Sequence, residues 1–196
     1  MKSSVRWAAA AVAGLGLSAV SSSCCSAEDV YGGAEFTISS DPSAVVLFVQ
    51  GHAVQSSVTH SMRLFGDGRL EVTVTGQAPV PDRRVTQLDK TAQQDLVGIA
   101  VRHGLPEWDT TRIESEKAIA LKGQHLATAD GYVVTVMIAL ETYRRGDRQL
   151  EGVVKKMSVT SPATAVEYFP EIQEFRGIHE LQLYLERALQ AQGLYS

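Results

Sequence analysis

The chain has 196 residues, of which 44% are hydrophobic and 20% are charged. This length suits one domain with a short tail, and the average apolar content excludes a chain that is disordered throughout. A formal net charge of −4 argues against a dedicated nucleic-acid-binding protein, which would usually be strongly basic. We therefore expect one globular domain and no nucleic-acid partner.

Residues 1–27 have the pattern of a bacterial export signal. Lys2 and Arg6 form a basic start, and an uncharged run extends from residue 7 to residue 27. A permanent membrane span would need about 20 strongly apolar residues. This run reaches that length only if its serine-rich end is counted. The sequence therefore predicts a signal that is cleaved during export.

Two modes of signal cleavage remain open. Ser22-Ser23-Cys24 is similar to a bacterial lipobox, in which Cys24 becomes the lipidated first residue. Ordinary cleavage after Ala27 would instead remove both cysteines of the chain. In either case the folded part has no cysteine, which excludes internal disulfides and thiol catalysis. The product is predicted to be either lipid-anchored to the bacterial envelope or secreted or periplasmic, with membrane contact only through the lipid.

The predicted organisation is a signal peptide at 1–23, a tether or loose segment at 24–43 and a single domain at 44–196. Strands dominate the first half of that domain. An apolar run ends at Gly51, and two alternating runs flank Gly66-Asp67-Gly68, which is typical of a β-hairpin. The predicted strands lie at 44–49, 60–65, 69–75 and 83–88.

A well-delimited helix is predicted at 89–103. Asp89 is a good N-cap, Gly104 suits a left-handed C-cap, and Pro106 prevents continuation. Its apolar face is expected to consist of Ala92, Leu96, Ile99 and Ala100.

The stretch 107–131 has a weaker pattern. Residues 117–121 could form a short strand, and the flanking segments 107–116 and 122–130 are expected to be exposed and irregular. This segment is a candidate binding element.

The last third of the chain predicts a second hairpin and helix. Long strands at 132–143 and 150–160 flank a charged turn around Gly146, with a bulge near Gly152. A helical turn begins at Ser161-Pro162, and a longer helix follows Pro170 and ends at Gly193.

The predicted fold class is α+β, with an antiparallel sheet of about 5–6 strands built from two hairpins and two helices on one face. The run from Arg63 to Val72, the helix end at 99–105, and the second hairpin and helix resemble small exported bacterial domains of unknown function. The layout of residues 44–190 is more loosely similar to emfourin, a proteinaceous inhibitor of thermolysin-like metalloproteases. No functional residue is transferred by this resemblance.

Histidines are the first candidates for metal or acid–base chemistry. His179-Glu180 begins like the zinc motif His-Glu-x-x-His, but position 183 is Leu, so the second ligand is missing. His52 and His60 could approach each other across strands, although a structural role is favoured. His103 is well placed near a helix C-terminus, and His125 completes the set. No metal or organic cofactor is predicted.

Two other clusters have competing interpretations. Four acids surround Trp108, like a carboxylate pair beside a sugar-binding aromatic, but a solvated loop is the simpler interpretation. Arg145-Gly146-Asp147 is the tripeptide read by integrins, yet glycine and aspartate are expected in a hairpin turn. The acids are Glu107, Asp109, Glu114 and Glu116, and the basic cluster beside the turn is Arg144, Arg145, Arg148, Lys155 and Lys156.

No nucleophile elbow, phosphate loop or dinucleotide-binding motif occurs. The leading hypothesis is a non-catalytic exported domain that binds a protein through the open sheet face, an edge strand or the segment 107–131. The first alternative is an emfourin-like inhibitor of an extracellular protease. The second is a hydrolase that uses His52, His60 or the acids near Trp108.

Overall fold

A computed structural model describes residues 31–123 and 131–194. The predicted α+β class is confirmed, with one antiparallel sheet of seven strands and four α-helices in the described part of the chain. The strands are β1 (Ala34–Thr37), β2 (Val45–Ala53), β3 (Thr59–Phe65), β4 (Arg69–Thr75), β5 (Asp82–Gln87), β6 (Tyr132–Arg145) and β7 (Arg148–Thr160). The helices are α1 (Lys90–Arg102), α2 (Thr110–Leu121), α3 (Pro162–Tyr168) and α4 (Gln173–Ala191), and a 3-10 turn spans Leu105–Glu107.

Strand β6 organises the sheet. It pairs along nearly its whole length with β7, and its other side pairs first with β2 and then with β1. Strands β2, β3, β4 and β5 follow in sequence order, and β5, β7 and the short β1 each pair with one other strand of the described chain. The sheet is larger than the expected 5–6 strands, and there are four helices instead of two.

Strand β1 lies in the segment predicted as a tether or loose segment. Ala34 is buried, and Phe36 pairs with Tyr143 of β6. The side chain of Tyr31 packs against Gly98 of α1, where a Cβ would lie 2.2 Å from the Tyr31 ring. The folded unit therefore includes part of that segment, because β1 pairs with the last four residues of β6.

The predicted hairpin around residues 66–68 is present as β3 and β4, with Met62, Leu64 and Val72 buried. The prediction that the preceding strand ends at Gly51 is wrong, because β2 continues to Ala53. A Cβ at Gly51 would lie 2.2 Å from the hydroxyl of Tyr132. Glycine at this position thus leaves room for the side chain of Tyr132 to pack over β2.

Helix α1 has the predicted caps. Asp89 accepts a hydrogen bond from the backbone N–H of Ala92 at 2.8 Å, and Gly104 has φ of 76°. The buried face is shifted from the prediction, since Ile99 and Ala92 are only half-buried. Residues in the buried face are Gln93, Leu96, Val97, Gly98, Ala100 and Val101.

The prediction of a strand at 117–121 is wrong, because these residues complete helix α2. The side chain of Asp109 accepts hydrogen bonds from the N–H groups of Thr111 and Arg112, which caps the helix N-terminus. Ile113, Lys117 and Leu121 lie one turn apart on the inward face. Because Lys117 lies in the middle of this stripe, the sequence does not show an apolar residue at every turn of the helix.

The second hairpin is present, but it has no bulge at Gly152. Leu140 pairs with Val153 and Thr142 pairs with Glu151, so the register is continuous. The predicted phase break is present. Even-numbered residues of β6 are buried up to Leu140, and the next buried residue is the odd-numbered Tyr143. Gly152 adopts φ of 59°, and both strands change phase together at that point. The sheet is instead bulged in β2, between Val45 and Leu47.

The core lies between one sheet face and the helices. Helix α4 supplies a stripe at helical spacing that packs with α1 and with the inward residues of β2, β3, β4 and β6. Ser161 stands at the predicted cap of α3, but its side chain makes no capping hydrogen bond. The α4 stripe consists of Phe175, Ile178, Leu181, Leu185 and Leu189.

Candidate functional site

The sheet face opposite the core carries an ordered row of side chains across five strands. Met137 pairs with Phe48, Phe48 pairs with Arg63, and Arg63 pairs with Glu71. Glu71 in turn pairs with Val85 of β5. Because adjacent strands lie about 4.8 Å apart, this row extends over roughly 20 Å of the face.

Two phenylalanines on this face lie beside arginines. The guanidinium carbon of Arg63 lies 5.5 Å from the centroid of the Phe48 ring, and that of Arg69 lies 3.8 Å from the centroid of Phe65. Both separations fit cation–π contacts, which are worth about 0.5–1 kcal/mol at exposed sites. Both rings remain partly accessible.

A buried carboxylate orders the cationic side of the face. The side chain of Glu71 is only 5% exposed and forms ion pairs with Arg69 and Arg83. The side chains of Arg69 and Arg83 are 31% and 55% exposed, so they cover the carboxylate and remain accessible to a ligand. We call the set Phe48, Arg63, Phe65, Arg69, Arg83 and Met137 the cationic face.

The row beside the cationic face is polar. Thr135 pairs with Ser158 and with Gln50, and the hydroxyl oxygens of Thr135 and Ser158 lie 2.8 Å apart. Ser61 and Thr73 continue the row toward Arg83. An apolar and aromatic centre with a polar border is typical of a protein-binding surface.

His52 and His60 do not approach each other across the strands, which removes the alternative to a structural role for this pair. His60 pairs with Gly51, and His52 pairs with Thr59, so the two imidazoles point to opposite faces of the sheet. Burial lowers the pKa of His60, and the negative charge of Glu186 partly opposes that shift. These two histidines therefore share no site.

The remaining histidines are dispersed. His103 lies at the C-terminal end of α1, as predicted. Its Nε2 atom lies 3.0 Å from Oε1 of Glu180, so the side chain contacts α4. The Nδ1 atom of His179 is buried and has no hydrogen-bond partner among the described residues. His125 lies outside the described residues, as do Cys24 and the predicted signal.

The acids around Trp108 point to different partners. Asp109 caps α2, Glu114 pairs with Lys117, and Glu116 pairs with Arg112. Glu107 accepts a hydrogen bond from the buried hydroxyl of Tyr143 and pairs with Arg148 at 3.0 Å. Each acid therefore has a structural partner in the fold.

The Arg145-Gly146-Asp147 turn is part of the fold's internal contacts. Gly146 and Asp147 are the two-residue loop between β6 and β7, and Gly146 has φ of 56°. The Nη2 atom of Arg145 donates to the carbonyl of Val101 at 2.6 Å. Arg145 thereby provides a hydrogen-bond donor for backbone carbonyl groups at the C-terminal end of α1.

The sequence predicts an open sheet face but does not identify the residues of the cationic face. Arg63 and Phe65 alternate with core residues in β3, which is a detectable signal for the outward side. Their alignment with Phe48 and Arg83 depends on strand register, which the alternation does not contain.

Within the described ranges, no three His, Cys, Asp or Glu side chains are arranged to hold a metal ion.

Residues 31–123 and 131–194 contain no helix that is long and apolar enough to cross a membrane.

No protein-family model matches the chain, and a search of curated proteins finds no significant relative.

Proposed function

We propose that this chain is an exported, non-catalytic domain that binds a protein partner through the cationic face. The observation that carries the proposal is the combination of two accessible phenylalanines with three ordered arginines on the side of the sheet away from the core. Aromatic residues, methionine and arginine are enriched in protein interfaces. Residues of this kind supply most of the binding energy where they become fully desolvated.

The charge of the face favours an acidic partner. Arg63, Arg69 and Arg83 outnumber the carboxylates of Glu71 and Asp67, both of which pair with Arg69. Lys156 of β7 adds a further cation beside Met137. The whole chain has a formal net charge of −4, so this excess is local. Two copies would bring like charges together, which disfavours a face-to-face homodimer.

The location of this activity rests on the N-terminal sequence. The basic start, the uncharged run and Cys24 support export and a lipid anchor at the envelope, with ordinary cleavage and release as the alternative.

The proposal is tested by capture of crosslinked partners with the tagged full chain and three variants. Phe48→Ala and Arg63→Glu alter the cationic face, whereas Arg187→Glu makes the same charge change on exposed α4. A partner that binds the cationic face is lost with the first two variants and retained with the control.

Titration of the purified partner then measures how much each variant changes the Kd. We expect at least a tenfold weaker Kd for Arg63→Glu and a binding constant that falls as salt rises. Equal binding by all three variants, with each variant folded by circular dichroism, would contradict the proposal.

The protease-inhibitor hypothesis is a second proposal and rests on the resemblance to emfourin. Mixing the purified chain with thermolysin-type and serine proteases at micromolar concentration tests it directly. Absence of inhibition in both assays removes this alternative. The hydrolase hypothesis has lost its support from His52 and His60, which lie on opposite sheet faces.

A further inference from the structure

A second candidate site lies at the β7 edge of the sheet, where α2 faces the strand. Three consecutive residues of β7, Ser158, Val159 and Thr160, line a cavity of about 340 Å³ together with residues of α2. The hydroxyl of Ser158 contacts Thr135 on the opposite sheet face. Ser158 must therefore border the cavity from the strand edge, with its backbone accessible there.

The hydrogen-bond pattern of β7 leaves backbone groups directed away from the sheet. The N–H of Ser161 donates to the carbonyl of Tyr132 at 2.7 Å, which makes these two residues a hydrogen-bonded pair. Such pairs alternate along an antiparallel ladder. The N–H and C=O groups of Lys156, Ser158 and Thr160 therefore point outward, and β7 has no second strand partner among the described residues.

The cavity beside this edge is apolar. A single residue of α2, Ile113, is fully buried, so most of the inner face of the helix borders the cavity instead of a packed core. The volume can accept a large aliphatic or aromatic side chain, since ligand pockets begin at about 300 Å³. Its main apolar lining consists of Trp108, Ile113, Leu121, Val159, Phe169 and Phe175.

The charges around the edge determine what can lie there. Lys156 projects from β7 to the open face, opposite Met137, and Lys117 stands at the α2 side of the cavity. The carboxylate of Glu114 pairs with Lys117 at 2.9 Å, and Lys155 donates to the carbonyl of Trp108 at 3.3 Å. Lys156 is the cation of β7 that projects to the open face beside the edge. A strand added to β7 would place alternate side chains in the cavity and near Lys156.

We propose that the groove between β7 and α2 binds an extended peptide by strand addition. The peptide places an apolar side chain in the cavity and carries acidic residues at the alternate positions beside Lys156. Backbone hydrogen bonds to Ser158 and Thr160 provide affinity, and the cavity provides specificity. Lys156 also borders the cationic face at Met137, but Ser158 and Ala165 are not among the six residues that define that face. Variants of Ser158 and Ala165 therefore test the groove without altering the cationic face.

The test begins with selection of a displayed library of random nonapeptides on the full chain. A fluorescein-labelled selected peptide is then titrated by anisotropy against the wild type and three variants. Ser158→Pro removes an outward N–H, and Ser158→Ala is its matched control. Proline is tolerated at an edge position whose N–H faces solvent. Ala165→Leu fills the cavity from α3, because Ala165 lines it.

We expect selected peptides in which an apolar residue alternates with acidic residues. Ser158→Pro and Ala165→Leu should weaken binding at least tenfold, and Ser158→Ala should change it less than twofold. The same peptide with N-methylated alternate amides should bind at least tenfold more weakly to the wild type. That last comparison leaves the protein unchanged, so it does not depend on how the variants fold.

Three outcomes would overturn the proposal. One is failure to select any peptide that binds above background, or binding that Ser158→Pro, Ala165→Leu and N-methylation all leave intact. Another is that dodecanoate binds, Ala165→Leu blocks it and no peptide competes, which would assign the cavity to a small amphiphile. The third is concentration-dependent dimerisation abolished by Ser158→Pro, which would assign the edge to a second copy.

Discussion

The hydroxyl of Tyr143 in β6 donates a hydrogen bond to the carboxylate of Glu107 in the 3-10 turn. Tyr143 is fully buried, and Glu107 also pairs with Arg148 of β7 at 3.0 Å. This contact attaches the end of the long hairpin to the helical layer. It lies where the burial pattern of β6 changes phase, so that odd-numbered Tyr143 faces the helices after the even-numbered core residues.

Tyr143→Phe should lower the free energy of unfolding by about 1–2 kcal/mol, because a hydrogen bond to a charged acceptor is lost. Burial raises the pKa of Tyr143, and the hydrogen bond to Glu107 raises it further. An unfolded tyrosine titrates near pH 10, so the wild type should lose stability as pH rises above about 10.

Urea unfolding between pH 8 and pH 11 measures this effect. The variant should show a smaller loss above pH 10, and part of the loss should remain because burial also raises the pKa of Tyr31 and Tyr184. Identical pH profiles for the two proteins would contradict the assignment.

Glu71→Ala should lower the free energy of unfolding by about 1–2 kcal/mol, because the ion pairs of Glu71 with two arginines are lost. The loss stays moderate because both arginines can regain water. Glu71→Gln keeps the shape and should recover part of the loss. Chemical denaturation of both variants and the wild type provides the comparison. In contrast, Glu151→Ala alters an exposed carboxylate of β7 and should change stability by less than 0.5 kcal/mol.

The close contact of Gly66 with the chain before β2 tests whether residues 31–43 belong to the folded unit. A Cβ at Gly66 would lie 2.5 Å from the backbone oxygens of Ser39 and Asp41. Gly66→Ala should therefore destabilise the domain by about 1–3 kcal/mol through forced backbone displacement.

A chain that begins at residue 44 lacks both this contact and β1, and it should unfold at a lower temperature than one that begins at residue 31. Gly66→Ala should cost less in the shorter chain, because Ser39 and Asp41 are gone. An equal loss of stability from Gly66→Ala in both chains would show that the contact with Ser39 and Asp41 is not its cause.

Cys24→Ala tests the proposed lipid anchor in a bacterial host. If Cys24 is lipidated, the wild-type product should partition into the detergent phase and carry the added acyl mass, and the variant should do neither. Cys25→Ala is the matched control and should leave the anchor intact. An aqueous wild-type product that begins at residue 28 would support ordinary cleavage instead.

Local patterns were sufficient for much of the fold. Asp89 and Gly104 mark the ends of α1 through their own backbone chemistry, and the alternation around residues 66–68 defines a hairpin. Helix α2 was not predicted because Lys117 interrupts the apolar spacing of its inward face. Only the structure shows that Lys117 lines the cavity there. The sequence did not predict the cationic face for a different reason, since its members come from five strands.

The sequence by itself determined the α+β class, the caps of α1, the first hairpin and the long helix after Pro170, because each depends on residues within one or two turns or strands of each other. Only the tertiary structure decided that β6 lies at the centre, that β1 belongs to the sheet and that Phe48 meets Arg63. Those relations depend on strand order and register, which arise when distant segments compete to bury the same apolar surface.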